Sequence, residues 1–185
     1  MLIGGVAVIA RGVRRLTDDV DMALWADGVD LQMVLRGLAA QDIRPRIDDA
    51  LAFARRSQVL LLRHGASGID IDLSLAWLPF EREALDRADL IAIGRRRVRV
   101  ATPDDLIIYK AIAARERDLS DIQRLIELHG ASVDFTRVRG IVVELASALE
   151  RPELVQALDR IVGAEWGPTR AAPKRRARKR PVRKR

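Results

Sequence analysis

Polar and apolar residues alternate in two short segments of this chain, and both segments carry aspartates on their polar face. Residues 19–24 read Asp-Val-Asp-Met-Ala-Leu, and residues 69–75 read Ile-Asp-Ile-Asp-Leu-Ser-Leu. Successive side chains of a strand point to opposite faces, so the aspartates of each segment share one face. The pattern therefore predicts two amphipathic strands that present two carboxylate pairs, Asp19 with Asp21 and Asp70 with Asp72.

Most of the other apolar residues recur at the spacing of a helix. In residues 30–41 the apolar positions lie three or four residues apart, and Asp30 can cap the first turn. Thr102 and Pro103 mark another helix start, because the threonine can cap the helix and the proline fits its first turn. Further helices are predicted over residues 6–10, 50–56, 79–88, 104–114, 119–129, 135–150 and 152–162.

A glycine-rich turn at residues 64–68 separates an apolar strand at residues 59–62 from the second acidic strand. These two strands are predicted to form a hairpin, which can bring a third carboxylate beside Asp19 and Asp21. Other short strands are predicted over residues 1–3, 43–47, 91–93 and 98–101.

The order of these elements predicts an α+β fold with three parts. A mixed β-sheet flanked by helices is expected in residues 1–101, and a helical part in residues 102–166. Residues 167–185 cannot bury a core and are expected to be a disordered basic tail.

Composition is consistent with a globular protein: of 185 residues, 49% are hydrophobic and 32% are charged. The chain has no run of about 18 apolar residues and no secretory signal, so a membrane partner is not expected. The absence of cysteine excludes disulfides and thiolate metal sites and agrees with a cytoplasmic location.

The formal charge of +7 comes from the tail. Ten of the 33 basic residues lie between Arg170 and Arg185, which leaves 23 basic against 26 acidic residues, or a net charge of −3, in the rest of the chain. A tail of this kind attracts polyanions such as tRNA or other RNA in a salt-dependent way without reading their sequence.

The first acidic strand also has a chemical implication. Two carboxylates held side by side are unfavourable unless a positive charge lies between them. The divalent cation that best meets this need with oxygen ligands is magnesium. For a third acid, the residues alone do not separate Asp70 from Asp72, because both project to the same face.

Three motifs occur in a fixed order along the chain. They are Gly4-Gly5, then Arg15-x-Thr17-x-Asp19-Val20-Asp21, then a stretch with Thr102-Pro103-Asp104-Asp105, Lys110 and Arg115-x-Arg117-Asp118-x-x-Asp121. This order resembles the nucleotidyltransferase superfamily with the DNA polymerase beta palm, and within it the small bacterial proteins of the AbiEii toxin and minimal nucleotidyltransferase type. The resemblance covers roughly residues 2–130.

The resemblance implies a palm fold for residues 1–101 and a helical subdomain that closes a cleft. It implies that Asp19, Asp21 and a third strand carboxylate bind two magnesium ions. The spacing to the segment at residues 78–81 favours Asp72 as the third acid and general base, with Asp70 as the alternative.

The resemblance also implies a nucleoside triphosphate as donor substrate. Asp118 and Asp121 would hold Arg115 or Arg117 in place. The triphosphate would be bound by Gly4, Gly5, Arg15, Thr17 and Lys110.

These features predict a magnesium-dependent nucleotidyltransferase that moves a nucleoside monophosphate to a hydroxyl of a tRNA, a protein or a small molecule. A toxin role with an antitoxin partner follows from the same resemblance. The alternatives are a catalytically degenerate module that binds nucleic acid through its tail, and a metal-dependent nuclease. No P-loop and no hydrolase triad is present.

Proteins of the resembling type usually have a helix before their first strand, whereas this chain reaches Gly4 after three residues. The first strand is therefore expected to be an exposed edge, unless the N-terminus is incomplete.

Overall fold

In the computed structural model, which describes residues 1–166, both acidic segments are strands of one sheet. The sheet contains β1 (Asp19–Trp25), β2 (Ile43–Pro45), β3 (Val59–His64) and β4 (Asp70–Ala76). Their order is β1-β4-β3-β2, with β1 and β4 parallel and the other neighbours antiparallel. The predicted mixed sheet and the hairpin of β3 with β4 are confirmed. The predicted basic tail, residues 167–185, lies outside the described residues.

The helices lie where the apolar spacing predicts them, with bounds shifted by a few residues. Asp30 accepts a hydrogen bond from the Gln32 N–H at 2.9 Å, and Thr102 accepts one from the Asp105 N–H at 3.2 Å, so both predicted caps are present. The helices are α1 (Gly4–Ala10), α2 (Leu31–Ala39), α3 (Ala50–Ser57), α4 (Pro79–Arg87), α5 (Pro103–Ala113), α6 (Glu116–His129), α7 (Phe135–Ala148) and α8 (Glu153–Trp166). Between α4 and α5, β5 (Asp89–Ile93) and β6 (Arg96–Val100) form a separate antiparallel hairpin.

The first three residues differ from the prediction. They do not form a strand of their own; instead Leu2 bridges Met22 of β1 on one side and Val100 of β6 on the other. Leu2 and Ile3 are each 7% exposed, so the expected exposed edge is wrong. The backbone of Leu2 thus has a partner on each side, and the buried side chains of Leu2 and Ile3 fill the space between the sheet and the β5–β6 hairpin.

The glycine pair also lies in a different element. Gly4 and Gly5 are the first residues of α1, whereas the sequence predicts a turn before a helix that starts at residue 6. Gly4 has a φ of +59°, a conformation that residues with a Cβ rarely adopt. The glycines thus enter the helix directly from the bridging segment.

Two hydrophobic clusters stabilise the part of the chain that the structure describes. In the smaller one, Leu60, Leu62 and Leu73 pack one face of the sheet against α2 and α3. The larger one contains buried residues of the N-terminal segment, α1 and the C-terminal helices together, including Leu2, Val8, Ile107, Leu125 and Val142. Helices α2 and α3 therefore cover one face of the sheet that contains the acidic strands. The core shared with the helical part lies on the other side of these strands.

Arg11, directly after α1, fixes this helix to the start of the helical part. Its guanidinium donates to the carbonyl of Val100 at 3.0 Å and to that of Ala101 at 2.9 and 2.6 Å, and it lies 2.9 Å from the carboxylate of Asp89. A ring nitrogen of His129 lies 2.7 Å from the Arg11 carbonyl oxygen. The glycine pair is thereby held at a defined position relative to α5.

No helix among residues 1–166 combines the length and the apolar character needed to cross a membrane.

The shared core leads to a stability prediction on one helix. Leu125 of α6 is fully buried, whereas Leu128 of the same helix is 55% exposed. We expect Leu125→Ala to lower the free energy of unfolding by about 2–5 kcal/mol, because it removes buried methyl groups and leaves a cavity. The matched change Leu128→Ala is expected to cost less than about 0.5 kcal/mol. Urea unfolding followed by circular dichroism measures both, and equal losses would contradict the shared core.

Candidate active site

The acidic face of the sheet is set by the pairing of its two central strands. In the parallel register of β1 with β4, Asp19 stands opposite Asp70, and Asp21 stands opposite Asp72. Paired residues of neighbouring strands project to the same side. The alternation predicted from the sequence therefore becomes a group of four carboxylates on one face.

The glycine pair lies against the first of these strands. The Gly5 N–H donates to Oδ2 of Asp21 at 3.3 Å. A Cβ atom on Gly4 would lie 1.8 Å from the same oxygen, and a Cβ on Gly5 would lie 2.5 Å from the Thr17 hydroxyl. Glycine is thus required at both positions because the side chains of Asp21 and Thr17 occupy the space that a Cβ would fill.

Thr17 orients the other aspartate of the first strand. Its hydroxyl donates to Oδ1 of Asp19 at 2.7 Å. The predicted residues Gly4, Gly5, Thr17, Asp19 and Asp21 are therefore in one continuous set of contacts.

Two arginines distinguish the aspartates of the second strand. Arg63, directly opposite Asp70 on β3, donates to its Oδ1 at 2.6 Å, and Arg46 donates to its Oδ2 at 2.6 Å. The other end of the Arg46 guanidinium donates to Oδ1 of Asp72. Asp70 is thus paired with two cations, whereas Asp72 shares one.

The surroundings of the two carboxyl groups shift their pKa values in opposite directions. The hydrogen bond from Arg63 is the main reason why the pKa of Asp70 lies below its usual value, and Arg46 lowers it further. Partial burial raises the pKa of Asp72; Arg46 opposes this, and the neighbouring carboxylates raise it further. Of the two, Asp72 has the environment of a carboxylate that accepts a proton more readily.

The sequence resemblance implies a metal ion, and the chemical type of the donors on this face suits one. Asp19, Asp21 and Asp72 carry the oxygen ligands that magnesium prefers, and the charges of Asp21 and Asp19 raise the pKa of Asp72. Within residues 1–166, however, no three aspartate, glutamate, histidine or cysteine side chains lie close enough to form a metal-binding group. Each of the three acids instead contacts a protein donor, namely Thr17, Gly5 or Arg46.

Lys110 lies at the centre of a buried ionic network. Its Nζ is 2.7 Å from Asp118 and 3.0 Å from Asp121, and its side chain is only 6% exposed. Asp121 also binds Arg15, whose guanidinium lies beside Gly5, and Asp118 binds Arg115. The predicted role of Asp118 in holding Arg115 agrees with this geometry, and the network connects the helical part to the glycine pair.

Arg115 is the accessible cation of this network. Its side chain is 58% exposed, although Asp118 holds it by two hydrogen bonds from the guanidinium. The bond to Asp118 raises the pKa of Arg115, and the charges of Asp21 and Asp19 raise it further. Its guanidinium therefore lies within the electrostatic field of the acidic face.

All predicted site residues belong to connected contacts around the acidic face, but sequence reasoning missed Arg46. Arg46 follows the short strand β2, and nothing in its local sequence indicates a carboxylate partner. It approaches Asp72 only because β2 pairs with β3 and β3 pairs with β4.

Comparison with known proteins identifies a family for most of the chain. The sequence model of the family described as "Nucleotidyltransferase of unknown function (DUF6036)" matches residues 1–153, which include every predicted site residue. No curated protein sequence is significantly similar to the chain.

Two solved structures of one protein share the fold. The solution structure of the antibiotic-resistance factor ANT(2'')-Ia superposes with a TM-score of 0.59 at 18% identity, over 80% of this chain and 84% of that chain. A crystal structure of ANT(2'')-Ia in complex with adenylyl-2''-tobramycin gives 0.57 at 17% identity, over 80% and 87%. An antigenic nucleotidyltransferase-like protein from Paracoccidioides brasiliensis gives 0.46 at 18% identity, over 89% and 87%.

The glycine contacts predict a position-specific cost. Gly4 and Gly28 both have a positive φ, of +59° and +69°, but a Cβ on Gly28 would meet no atom within 4 Å. We expect Gly28→Ala to lower the free energy of unfolding by about 1–2 kcal/mol, the cost of the backbone conformation alone. Gly4→Ala should cost clearly more, because it must also displace Asp21. Chemical denaturation measures both variants, and equal losses would show that the contact with Asp21 is not constraining.

The Lys110 network predicts a pH dependence. Burial disfavours the charged form of Asp118, but the hydrogen bonds from Arg115 and Lys110 outweigh it and lower its pKa below the usual value of 3.8. A carboxyl with a lowered folded-state pKa stabilises the protein above its unfolded pKa, and this contribution is lost as the pH falls through the folded pKa.

We therefore expect Asp118→Asn to be less stable than the wild type by roughly 1–3 kcal/mol at pH 7, and the difference to shrink as the pH falls below about 4. Glu127→Gln, an exposed change on the same helix, is the control and should leave the pH slope unaltered. Urea unfolding at several pH values tests this, and a constant difference would contradict it.

Proposed function

The chain belongs to this family of nucleotidyltransferases, and we propose that it transfers a nucleoside monophosphate from a nucleoside triphosphate to an acceptor hydroxyl, with magnesium bound at the acidic face. The observation that carries the proposal is the register of β1 with β4, which aligns Asp21 with Asp72 beside the glycine pair. Transfer of this kind depends mainly on positioning and on neutralising the charge of the phosphates.

Asp72 is proposed as the general base. It accepts the proton of the acceptor hydroxyl, whose oxygen forms a bond to the α-phosphorus. The bond between the α-phosphorus and the oxygen bridging to the β-phosphate breaks, and pyrophosphate leaves. Asp70 is the less suitable base, because two arginines already neutralise it.

Asp19, Asp21 and Asp72 are proposed to hold the magnesium ions. When bound, these ions would activate the attacking oxygen and stabilise the leaving one. Thr17 orients Asp19 by its hydroxyl, and the Gly5 N–H orients Asp21, so the ligands on the first strand are positioned by neighbouring groups.

The triphosphate is proposed to lie along the glycine pair, with Arg15 and Arg115 as its cationic contacts. Arg15 borders Gly5, and Arg115 is exposed on the side of the acidic face. Lys110 was predicted to contact the phosphates, but its charge is already shared by Asp118 and Asp121. We therefore propose that Lys110 acts through these carboxylates, which orient the two arginines.

The acceptor is proposed to be a hydroxyl of a tRNA or other RNA, a protein or a small molecule. ANT(2'')-Ia was solved with an adenylylated aminoglycoside, which supports a small-molecule acceptor, whereas the ten basic residues near the C-terminus support RNA. The toxin role and the antitoxin partner stay predictions from the sequence resemblance.

The test is incubation of the full chain with magnesium, each of the four nucleoside triphosphates labelled at the α-phosphate, and total RNA, a bacterial lysate or an aminoglycoside as acceptor. We expect one acceptor to become labelled and pyrophosphate to form. Asp21→Asn should abolish labelling, and Asp72→Asn should lower the rate by about 10²–10⁴-fold, the usual share of a general base. Asp27→Asn, on an exposed turn after β1, is the control and should keep full activity.

Other results would point to the other candidates. Tight RNA binding without labelling by any nucleotide would favour the degenerate binding module. Shortening of the RNA would favour a nuclease.

A further inference from the structure

Arg46 is fixed between two carboxylates of the acidic face. It follows β2, and its backbone N–H donates to the carbonyl of Leu61 at 3.0 Å. Its Nη1 lies 2.6 Å from Asp70, and its Nη2 donates to Oδ1 of Asp72. With a side chain that is 26% exposed, it is partly shielded from solvent. The backbone of Arg46 is therefore held by β3, and its guanidinium by two aspartates of β4.

The two aspartates depend on Arg46 to different extents. Asp70 is also bound by Arg63, which donates to both of its oxygens at 2.6 and 3.2 Å. Among residues 1–166, Arg46 is the only cation that forms an ion pair with Asp72. Loss of Arg46 would thus leave Asp70 neutralised and leave Asp72 facing Asp21 without a counter-charge.

A metal ion at Asp72 needs the same kind of oxygen. Carboxylate ligands must be ionised to bind a divalent cation, and an arginine cannot give up its charge by losing a proton. Arg46 and a divalent cation would then compete for the negative charge of the Asp72 carboxylate, and a metal that binds through Oδ1 would displace the guanidinium from that oxygen.

We propose that Arg46 is a built-in counter-ion of the active site, which neutralises Asp72 while no metal is bound and competes with a divalent cation for this carboxylate. This inference rests on the proposed function, because it takes Asp72 as a metal ligand. Arg46 then determines how tightly the nucleotide-free protein binds metal. Arg63, whose ion pairs within residues 1–166 involve Asp70 alone, has no such effect.

The test is titration of the full-length, nucleotide-free protein with Mn²⁺, followed by calorimetry and by the electron paramagnetic resonance signal of free Mn²⁺. We expect Arg46→Gln to bind Mn²⁺ about five- to tenfold more tightly than the wild type, since a partly shielded ion pair no longer competes. Arg63→Gln is the matched control and should bind Mn²⁺ with an affinity within about twofold of the wild type.

Arg46→Lys provides a second variant that keeps the charge but loses the forked contact, and its Mn²⁺ affinity should fall between those of the wild type and Arg46→Gln. Thermal unfolding gives an independent readout: without metal Arg46→Gln should unfold at a lower temperature, and Mn²⁺ should raise this temperature more than in the wild type.

Unchanged or weaker Mn²⁺ binding by Arg46→Gln would overturn the counter-ion role, as would equal tightening by Arg63→Gln. Failure of the proposed function would look different. In that case the wild type binds Mn²⁺ in a way that Asp72→Asn removes, yet labels no acceptor from any nucleotide, and the counter-ion role would still stand.

Discussion

The parallel pairing of β1 with β4 determines where the charges of the acidic face lie. A shift of one residue would turn the carboxylates of one strand towards the hydrophobic side of the sheet. The observed register instead puts Asp21 beside Asp72 and leaves the apolar side chains of both strands to pack against α2 and α3. The hydrophobic side of the sheet thus enforces the accumulation of negative charge on the other side.

That accumulation explains why cations surround the sheet. Arg46 and Arg63 approach from the β2 and β3 side, while Arg15 and Arg115 approach from the side of α5 and α6. The latter pair is held by carboxylates that Lys110 joins in a buried network. Breaking such a network by removing one partner leaves an uncompensated buried charge, so it favours a single arrangement of strands and helices.

The sequence predicted the features that depend on neighbouring residues, but not those that depend on the order of the strands in the sheet. Alternation predicted both acidic strands, and capping residues predicted the starts of α2 and α5, because these signals lie within a few neighbouring positions. The residues alone gave no sign of Arg46, whose partners lie two strands away. They also did not separate Asp70 from Asp72, although the family resemblance favoured Asp72, because the difference comes from Arg63 across the hairpin.

The N-terminal segment was misjudged for the same reason. Three residues look like an exposed edge until β6 is known to lie on their other side. The division of the chain at residue 101 stays a prediction, and the larger hydrophobic cluster includes residues from both sides of that position. Opening a cleft between these parts by a wide rotation would therefore expose core side chains to water.

The contact between Gly4 and Asp21 has a consequence for how such sequences can diverge. As long as the carboxylate is kept, its oxygen fills the space above Gly4, and no other residue fits there. A lineage that loses the carboxylate for a smaller side chain is released from that steric restriction, although the positive φ still favours glycine or asparagine. Positions 4 and 21 are therefore expected to change together among homologues.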